Sequence, residues 1–304
     1  MVNPTTYHVP VMLYECMEAL AIRRDGVYVD LTFGGGGHSR EILRQLGSEG
    51  RLIAFDQDPD AARNALDDPR FTLVHQNFRF LKNHLRLLGI REVDGVLGDL
   101  GVSSHQFDSP ERGFSIRYDA GLDMRMDQVS ELDAKRVLDT YSEEDLHRIF
   151  GMYGEIQNGG SLAKTIVTAR LNGVIETVVD LKEVIKRLVP RGKEHKYHAQ
   201  VFQALRIEVN RELEALQECL EQTVSVLKPG GRLVIMSYHS LEDRMVKNFM
   251  QKGKFKGEVE KDFFGNEIKP FHVISRKAIT AGAEELKINN RARSAKLRVA
   301  ERIA

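Results

Sequence analysis

Four consecutive glycines, at positions 34–37, stand between an apolar run at 27–33 (VYVDLTF) and a helix-like segment at 39–46. Such a run costs chain entropy and packs nothing. It fits a place where the backbone must turn sharply and approach a ligand without a Cβ in the way. Between a strand and a helix, that place is the first turn of an α/β unit, where the helix's free N–H groups face the same crevice. The following segments keep the rhythm: strand 51–56 (RLIAFD), helix 59–66, strand 71–75, helix 81–88 and strand 93–100 (VDGVLGDL). Strands this uniformly apolar read as a parallel sheet with helices on both faces.

The alternation stops after about residue 105. From 106 to about 213 the sequence reads as helices and loops with no convincing strand, and at 227–237 (LKPGGRLVIMS) a Pro-Gly-Gly turn leads into a strand again. Further β-like stretches lie at 271–275 and 295–299. A length of 304 residues suits about two domains. The expected organisation is an α/β, Rossmann-like domain in two parts, 1–105 and 214–304, interrupted by a mostly helical domain at 106–213.

Composition removes several classes. Hydrophobic residues at 42% and charged residues at 29% argue against disorder. No run approaches 18 apolar residues, so no membrane span is expected. The first twenty residues lack a basic start and are broken by Pro4, Pro10, Glu15 and Glu18, so no secretory signal is expected and the reading is cytoplasmic. Two cysteines, Cys16 and Cys219, exclude a disulfide scaffold, and without a Cys-x-x-Cys pair no structural zinc is expected. His195 and His198 have the spacing of a metal pair but no partner ligands, so no metal is expected.

The glycine turn narrows the ligand. A P-loop would end in Gly-Lys-Ser/Thr, and here Gly37 is followed by His38. A dinucleotide fingerprint would place a third glycine where Ser39 stands. Asp30, Gly34 and Gly36 keep instead the spacing of the first motif of S-adenosylmethionine (SAM) methyltransferases. Asp56, ending the second strand, is placed to accept hydrogen bonds from ribose hydroxyls. It would serve NAD as well as SAM and competes with a helix-capping role that Asp58 fits better. Phe78, just past the third strand, suits an adenine stack or the core equally.

Asp99 ends the fourth strand, where a methyl acceptor would meet the sulfonium. An exocyclic base amine is a poor nucleophile because its lone pair is delocalised. An acceptor at its N–H draws it toward a tetrahedral shape, in line with the methyl group. The Asp/Asn-Pro-Pro-aromatic motif common at this place in amino-methyltransferases is absent, and Cys16 and Cys219, each preceded by glutamate, do not suit the covalent route to cytosine C5.

Several stretches, HVPVML from His8, TFGGGGHS from Thr32 and DLGVSS from Asp99, resemble one family taken together. So do RGFS from Arg112, LDMRMD from Leu122, FQALRI from Phe202, SYHSLEDR from Ser237 and RARSAKLR from Arg291. The chain is similar throughout to the MraW/RsmH family of bacterial rRNA cytosine-N4 methyltransferases. That resemblance implies a SAM-dependent methyltransferase domain with a helical insertion. It implies N4 methylation of a cytidine in the decoding region of small-subunit rRNA, with the rRNA or the small subunit as partner. It also implies SAM contacts at Gly36, Gly37, His38, Asp56, Phe78, Asp99 and Gln106. The family's His-Pro-Ala-Thr-Arg stretch before Phe-Gln-Ala reads Lys196-Tyr197-His198-Ala199-Gln200 here.

Net charge is zero, with 44 basic and 44 acidic residues, so RNA binding needs a local basic face. Residues 182–211 and 271–304 each carry eight Lys/Arg against three Glu, whereas 108–133 carries three Arg against seven acids. Arg291, Arg293, Lys296 and Arg298 form the sharpest cluster and are candidate phosphate contacts, some of whose charge could pair with the acidic segment. His239, after the 227–237 strand, is a candidate for a flipped base and also a candidate helix cap. A homodimer is compatible with the sequence. Two rivals stay open: a nicotinamide-dependent oxidoreductase and a non-catalytic RNA-binding assembly factor.

Overall fold

A computed structural model describes residues 10–304, so His8 and Val9 of the first motif lie outside the described residues. The chain divides into two units, one comprising the chain up to Gly101 together with Leu213–Ala304, the other Val102–Glu212. The sequence pattern placed these edges after 105 and 213.

In the first unit the strands are β1 (Val27–Asp30), β2 (Arg51–Phe55), β3 (Phe71–Val74), β4 (Val93–Asp99), β5 (Leu227–Ser237), the two-residue β6 (Glu260–Lys261) and β7 (Glu267–Ile268), β8 (Phe271–Val273) and β9 (Lys296–Arg302). Seven of them form one sheet in the order β3-β2-β1-β4-β5-β9-β8, while β6 and β7 pair as a separate hairpin. β1 to β5 are parallel; β9 runs antiparallel to both β5 and β8. The order reverses between β1 and β4, the switch point where α/β sheets open a ligand crevice beyond the strand C-termini.

Alternate residues of each strand feed two different cores. Val29, Ile53, Val96, Leu233 and Ile235 pack with α3 (Leu81–Leu87), α10 (Glu212–Val226) and α11 (Ser240–Lys252) through Leu85, Leu220 and Phe249. Tyr28, Leu52, Leu97, Val234 and Met236 pack with α1 (Leu13–Leu20) and α2 (Gly37–Gln45) through Cys16, Leu20 and Ile42. Burial on both faces explains the unbroken apolar runs.

Two local expectations change. The segment expected as a helix at 59–66 is a 3-10 turn, Pro59–Asn64, started by the Asp58 cap and burying only Ala61, because it has no apolar stripe to extend along. The Pro-Gly-Gly sequence does not precede β5 but lies within it, as an irregularity where the β4 register shifts between Val93 and Gly95. Helix α1, for which the sequence pattern suggested no element, covers one face of the sheet.

The second unit contains α4 (Ser104–Asp108), α5 (Ala134–Thr140), α6 (Glu143–Met152), α7 (Gly159–Asn172), α8 (Val178–Ile185) and α9 (Glu194–Asn210) around its own core of Leu138, Ile149, Phe150, Ile166, Leu181 and Leu205. Its LDMRMD motif is anchored in that core. Leu122, Met124 and Met126 are buried, Asn210 accepts from Met126 N at 2.7 Å and donates to Met124 O at 2.8 Å, and Arg125 pairs with Asp123. The remaining helix, α12 (Ala283–Ile288), belongs to the first unit. Among the described residues no helix is long and apolar enough to cross a membrane.

Candidate active site

The glycine turn is clamped from below by Asp30. This buried carboxylate accepts from Thr32 N at 3.0 Å with Oδ1 and from Ser39 Oγ at 2.7 Å with Oδ2, so it ties the start of the loop to the first turn of α2. Burial pushes its pKa up. Gly36 has φ 73°, and a Cβ there would come within 2.9 Å of the Phe33 ring. A Cβ on Gly37 would meet Pro10 Cγ at 2.2 Å, so the segment before α1 presses on the start of α2. The first N–H groups of α2 have no partner inside the helix, and no acidic side chain occupies that turn, which leaves an end suited to an anion.

Asp56 follows β2 directly. Its Oδ2 accepts from Gly34 N at 2.7 Å and its Oδ1 from Asp58 N at 2.9 Å, so it sits against the glycine turn. The cap of the next turn falls to Asp58, which accepts from Asp60 N. Burial pushes the Asp56 pKa up to about 6, against those backbone donors. A carboxylate offers about four lone-pair sites, and these two bonds leave sites for a diol. Phe78 opens the 3-10 turn Phe78–Phe80 after β3, and Asn77 Nδ2 donates to Gln57 Oε1 at 2.7 Å, bringing that turn beside Asp56. Phe78 is half-buried and packs partly against the core.

Asp99 closes β4 with its backbone N donating to Thr32 Oγ1 at 2.7 Å, which joins the acceptor edge to the glycine turn. Its Oδ1 accepts from Tyr238 Oη at 2.7 Å; its Oδ2 lies 4.0 Å from His38 Nδ1. The other ring nitrogen of His38, Nε2, donates to Val11 O at 3.1 Å. Burial pushes the Asp99 pKa up to about 6, with His38 and the Tyr238 hydroxyl opposing and Asp30 and Glu242 adding to the rise. Tyr238 lies inside the SYHSLEDR motif, yet the sequence does not single it out. Its one signal is its place as the first residue after β5, on the crevice edge.

The remaining candidates separate. Gln106 lies in the helical unit, where its side chain and Ser103 close a reciprocal capping box on α4. His239 caps α11: its Nδ1 accepts from Glu242 N at 3.5 Å and its Nε2 lies 3.2 Å from Glu242 Oε1. Arg298 is buried, and its Nε donates to Asp243 Oδ1 at 2.6 Å, while Lys296 lies 3.3 Å from Asp243 Oδ2. The neutralising partner is therefore Asp243 of α11, not the acidic segment 108–133. The Arg298 guanidinium is thus taken up within the fold, unlike the exposed members of the cluster. Arg293 and Lys296 are exposed and Arg291 is half-buried. Lys296 pairs in register with Ser237, so this cluster lies at the same sheet edge as Asp99.

A family model described as the MraW methylase family matches residues 5–303. The chain is 60% identical over 298 residues to the "Ribosomal RNA small subunit methyltransferase H" of Cytophaga hutchinsonii, covering 97% of this chain and 99% of that protein. It is 57% identical over 303 residues to the protein of that name in Flavobacterium johnsoniae, covering 100% of both. Among solved structures, a putative rRNA-methylase from Clostridium thermocellum is 13% identical with a TM-score of 0.47, covering 98% of this chain and 100% of that one.

Proposed function

The chain belongs to the MraW methylase family, and from that premise we propose that it transfers the methyl group of SAM to a small-subunit rRNA, at N4 of a cytidine in the decoding region. The observation that carries this reading is the common edge of β1, β2 and β4. There the glycine turn is tied to the Asp56 carboxylate by a hydrogen bond from Gly34 N and to the backbone of Asp99 by one from Asp99 N to Thr32 Oγ1.

Gly36, Gly37 and His38 would line the carboxylate end of SAM at the start of α2, and Asp56 would accept its ribose hydroxyls. Phe78 would lie along the adenine, and Gln106 is carried as a further contact by resemblance. When bound, SAM supplies an electrophilic methyl group on a sulfonium. Asp99 then accepts from the cytidine N4–H, orients the nitrogen lone pair, and takes the proton that the product nitrogen must shed. Arg291, Arg293 and Lys296 would track the RNA backbone, and His239 would lie beside the displaced base. The helical unit is read as the substrate-recognition domain.

The test is tritiated methyl transfer from SAM to small ribosomal subunits lacking the modification, followed by nucleoside analysis. Label in N4-methylcytidine is expected. Label on another nucleoside would overturn the acceptor; no label with SAM bound would favour the assembly-factor reading. NADH binding in place of SAM would favour the oxidoreductase.

A further inference from the structure

Resting on that reading of Asp99, we propose that Tyr238 is a positioning residue whose hydroxyl pins one oxygen of the Asp99 carboxylate, so that the other is presented, ionised, to the acceptor amine.

The two oxygens of Asp99 are not equivalent. Oδ1 takes the Tyr238 hydroxyl at 2.7 Å. For Oδ2 the neighbour among the described residues is His38 Nδ1 at 4.0 Å, beyond hydrogen-bond range. The backbone around this carboxylate is fixed: Asp99 N donates to Thr32 Oγ1, and Leu100 N donates to Met236 O at 2.9 Å. Tyr238 is fixed as well, because its N donates to Glu242 Oε2 at 3.1 Å in the first turn of α11. The carboxylate therefore has one tethered oxygen and one open oxygen, at a strand end that is 25% exposed.

The surrounding charges make the tether consequential. Asp99 faces Asp30 from β1, Cys16 from α1, His38 from α2, and Tyr238 and Glu242 from β5–α11. Burial, Asp30 and Glu242 all favour the protonated form; the Tyr238 hydroxyl and His38 favour the anion. A protonated Asp99 offers the amine no basic oxygen. In the transfer, the N4 lone pair forms the N–C bond as the methyl carbon's bond to sulfur breaks, and that bonding pair stays on sulfur. The nitrogen then holds one proton too many, which passes to Asp99 Oδ2 and on to water.

The experiment compares Tyr238→Phe with the unaltered protein in single-turnover methyl transfer at saturating SAM and subunits, across pH 5.5–9. SAM affinity is expected to stay within about twofold. The acidic limb of the rate profile is expected to move up by about one pH unit, so that the rate falls roughly fivefold at pH 6, approaches a tenfold loss toward pH 5.5 and recovers above pH 8. Replacement of Tyr238 by 3,5-difluorotyrosine, a stronger donor of the same shape, is expected to move the limb down; it keeps the test informative should the phenylalanine variant fold poorly. A loss equal at every pH, or a superimposable profile, would overturn the proposal while leaving the methyltransferase reading intact. An unaltered protein that labels no N4, or full activity in Asp99→Asn, would overturn the reading beneath it and the proposal together.

Discussion

Arg298 in β9 and Asp243 in α11 meet at 2.6 Å with both side chains nearly enclosed, so the last strand of the sheet is bolted to the helix that follows β5. Burial works against the Asp243 charge, but the guanidinium and Lys296 outweigh it and hold its pKa below the usual carboxylate range. Its contribution to stability is thus present above about pH 4 and is lost as pH falls through the lowered value. Arg298→Ala leaves the Asp243 carboxylate with Lys296 as its remaining cation and is expected to cost on the order of 2 kcal/mol in urea unfolding.

Exposed Arg293 behaves differently. Arg293→Ala is expected to leave the unfolding midpoint unchanged and to weaken binding to small-subunit rRNA. The slope of log affinity against log salt should fall by roughly 0.7–0.9 for each phosphate the variant no longer neutralises. Salt-dependent binding titrations of both variants distinguish an arginine that anchors the fold from one that meets phosphate; an unchanged slope in Arg293→Ala would remove Arg293 from the RNA contact.

Asp56 carries a signed pH effect. With its folded pKa raised to about 6, the native state holds a proton that the unfolded chain releases near pH 4, so this group's contribution to stability declines as pH rises through that window. Asp56→Asn removes that decline while weakening SAM binding by roughly 10- to 100-fold, the equivalent of one or two charge-assisted hydrogen bonds. Calorimetric SAM titration at pH 5, 6 and 7.5 should show affinity rising across pH 6 in the unaltered protein and a flatter dependence in the variant.

Asn210 satisfies the backbone on both sides of Arg125 from α9, at Met124 O and Met126 N. Asn210→Ala leaves both groups short of a partner, with an expected loss on the order of 2 kcal/mol. Amide exchange should accelerate at residues 122–127 before it does in the sheet. Equal acceleration everywhere would count against a local role.

The α/β rhythm is legible in the sequence because each strand is buried on two faces and therefore written as an apolar run. The glycine turn is legible because only glycine tolerates what happens at 36 and 37. Helix α1 is not, since its eight residues pack Cys16, Met17 and Leu20 on a sheet whose strands lie far apart in the chain. The basic residues of β9 look uniform in sequence, but Lys296 and Arg298 share one face of the strand and both reach Asp243 of α11, a helix far away in the chain, with Arg298 buried there and Lys296, at the strand's end, exposed. Tyr238 escapes a sequence reading because its partner, Asp99, lies 139 positions away.

The strand order has a consequence for synthesis. β4 pairs with β5, yet the 127 residues from Leu100 to Val226 separate them. At a ribosomal pace of about 5–20 residues per second, one edge of the nascent half-sheet waits roughly 6–25 seconds for its neighbour. A helical unit with a core of its own can collapse during that wait, turning a long floppy tether into a folded spacer. Until β5 emerges, however, the apolar flank of β4 remains open to other chains, which makes this interval the one at which overexpressed protein is most exposed to aggregation and to chaperones.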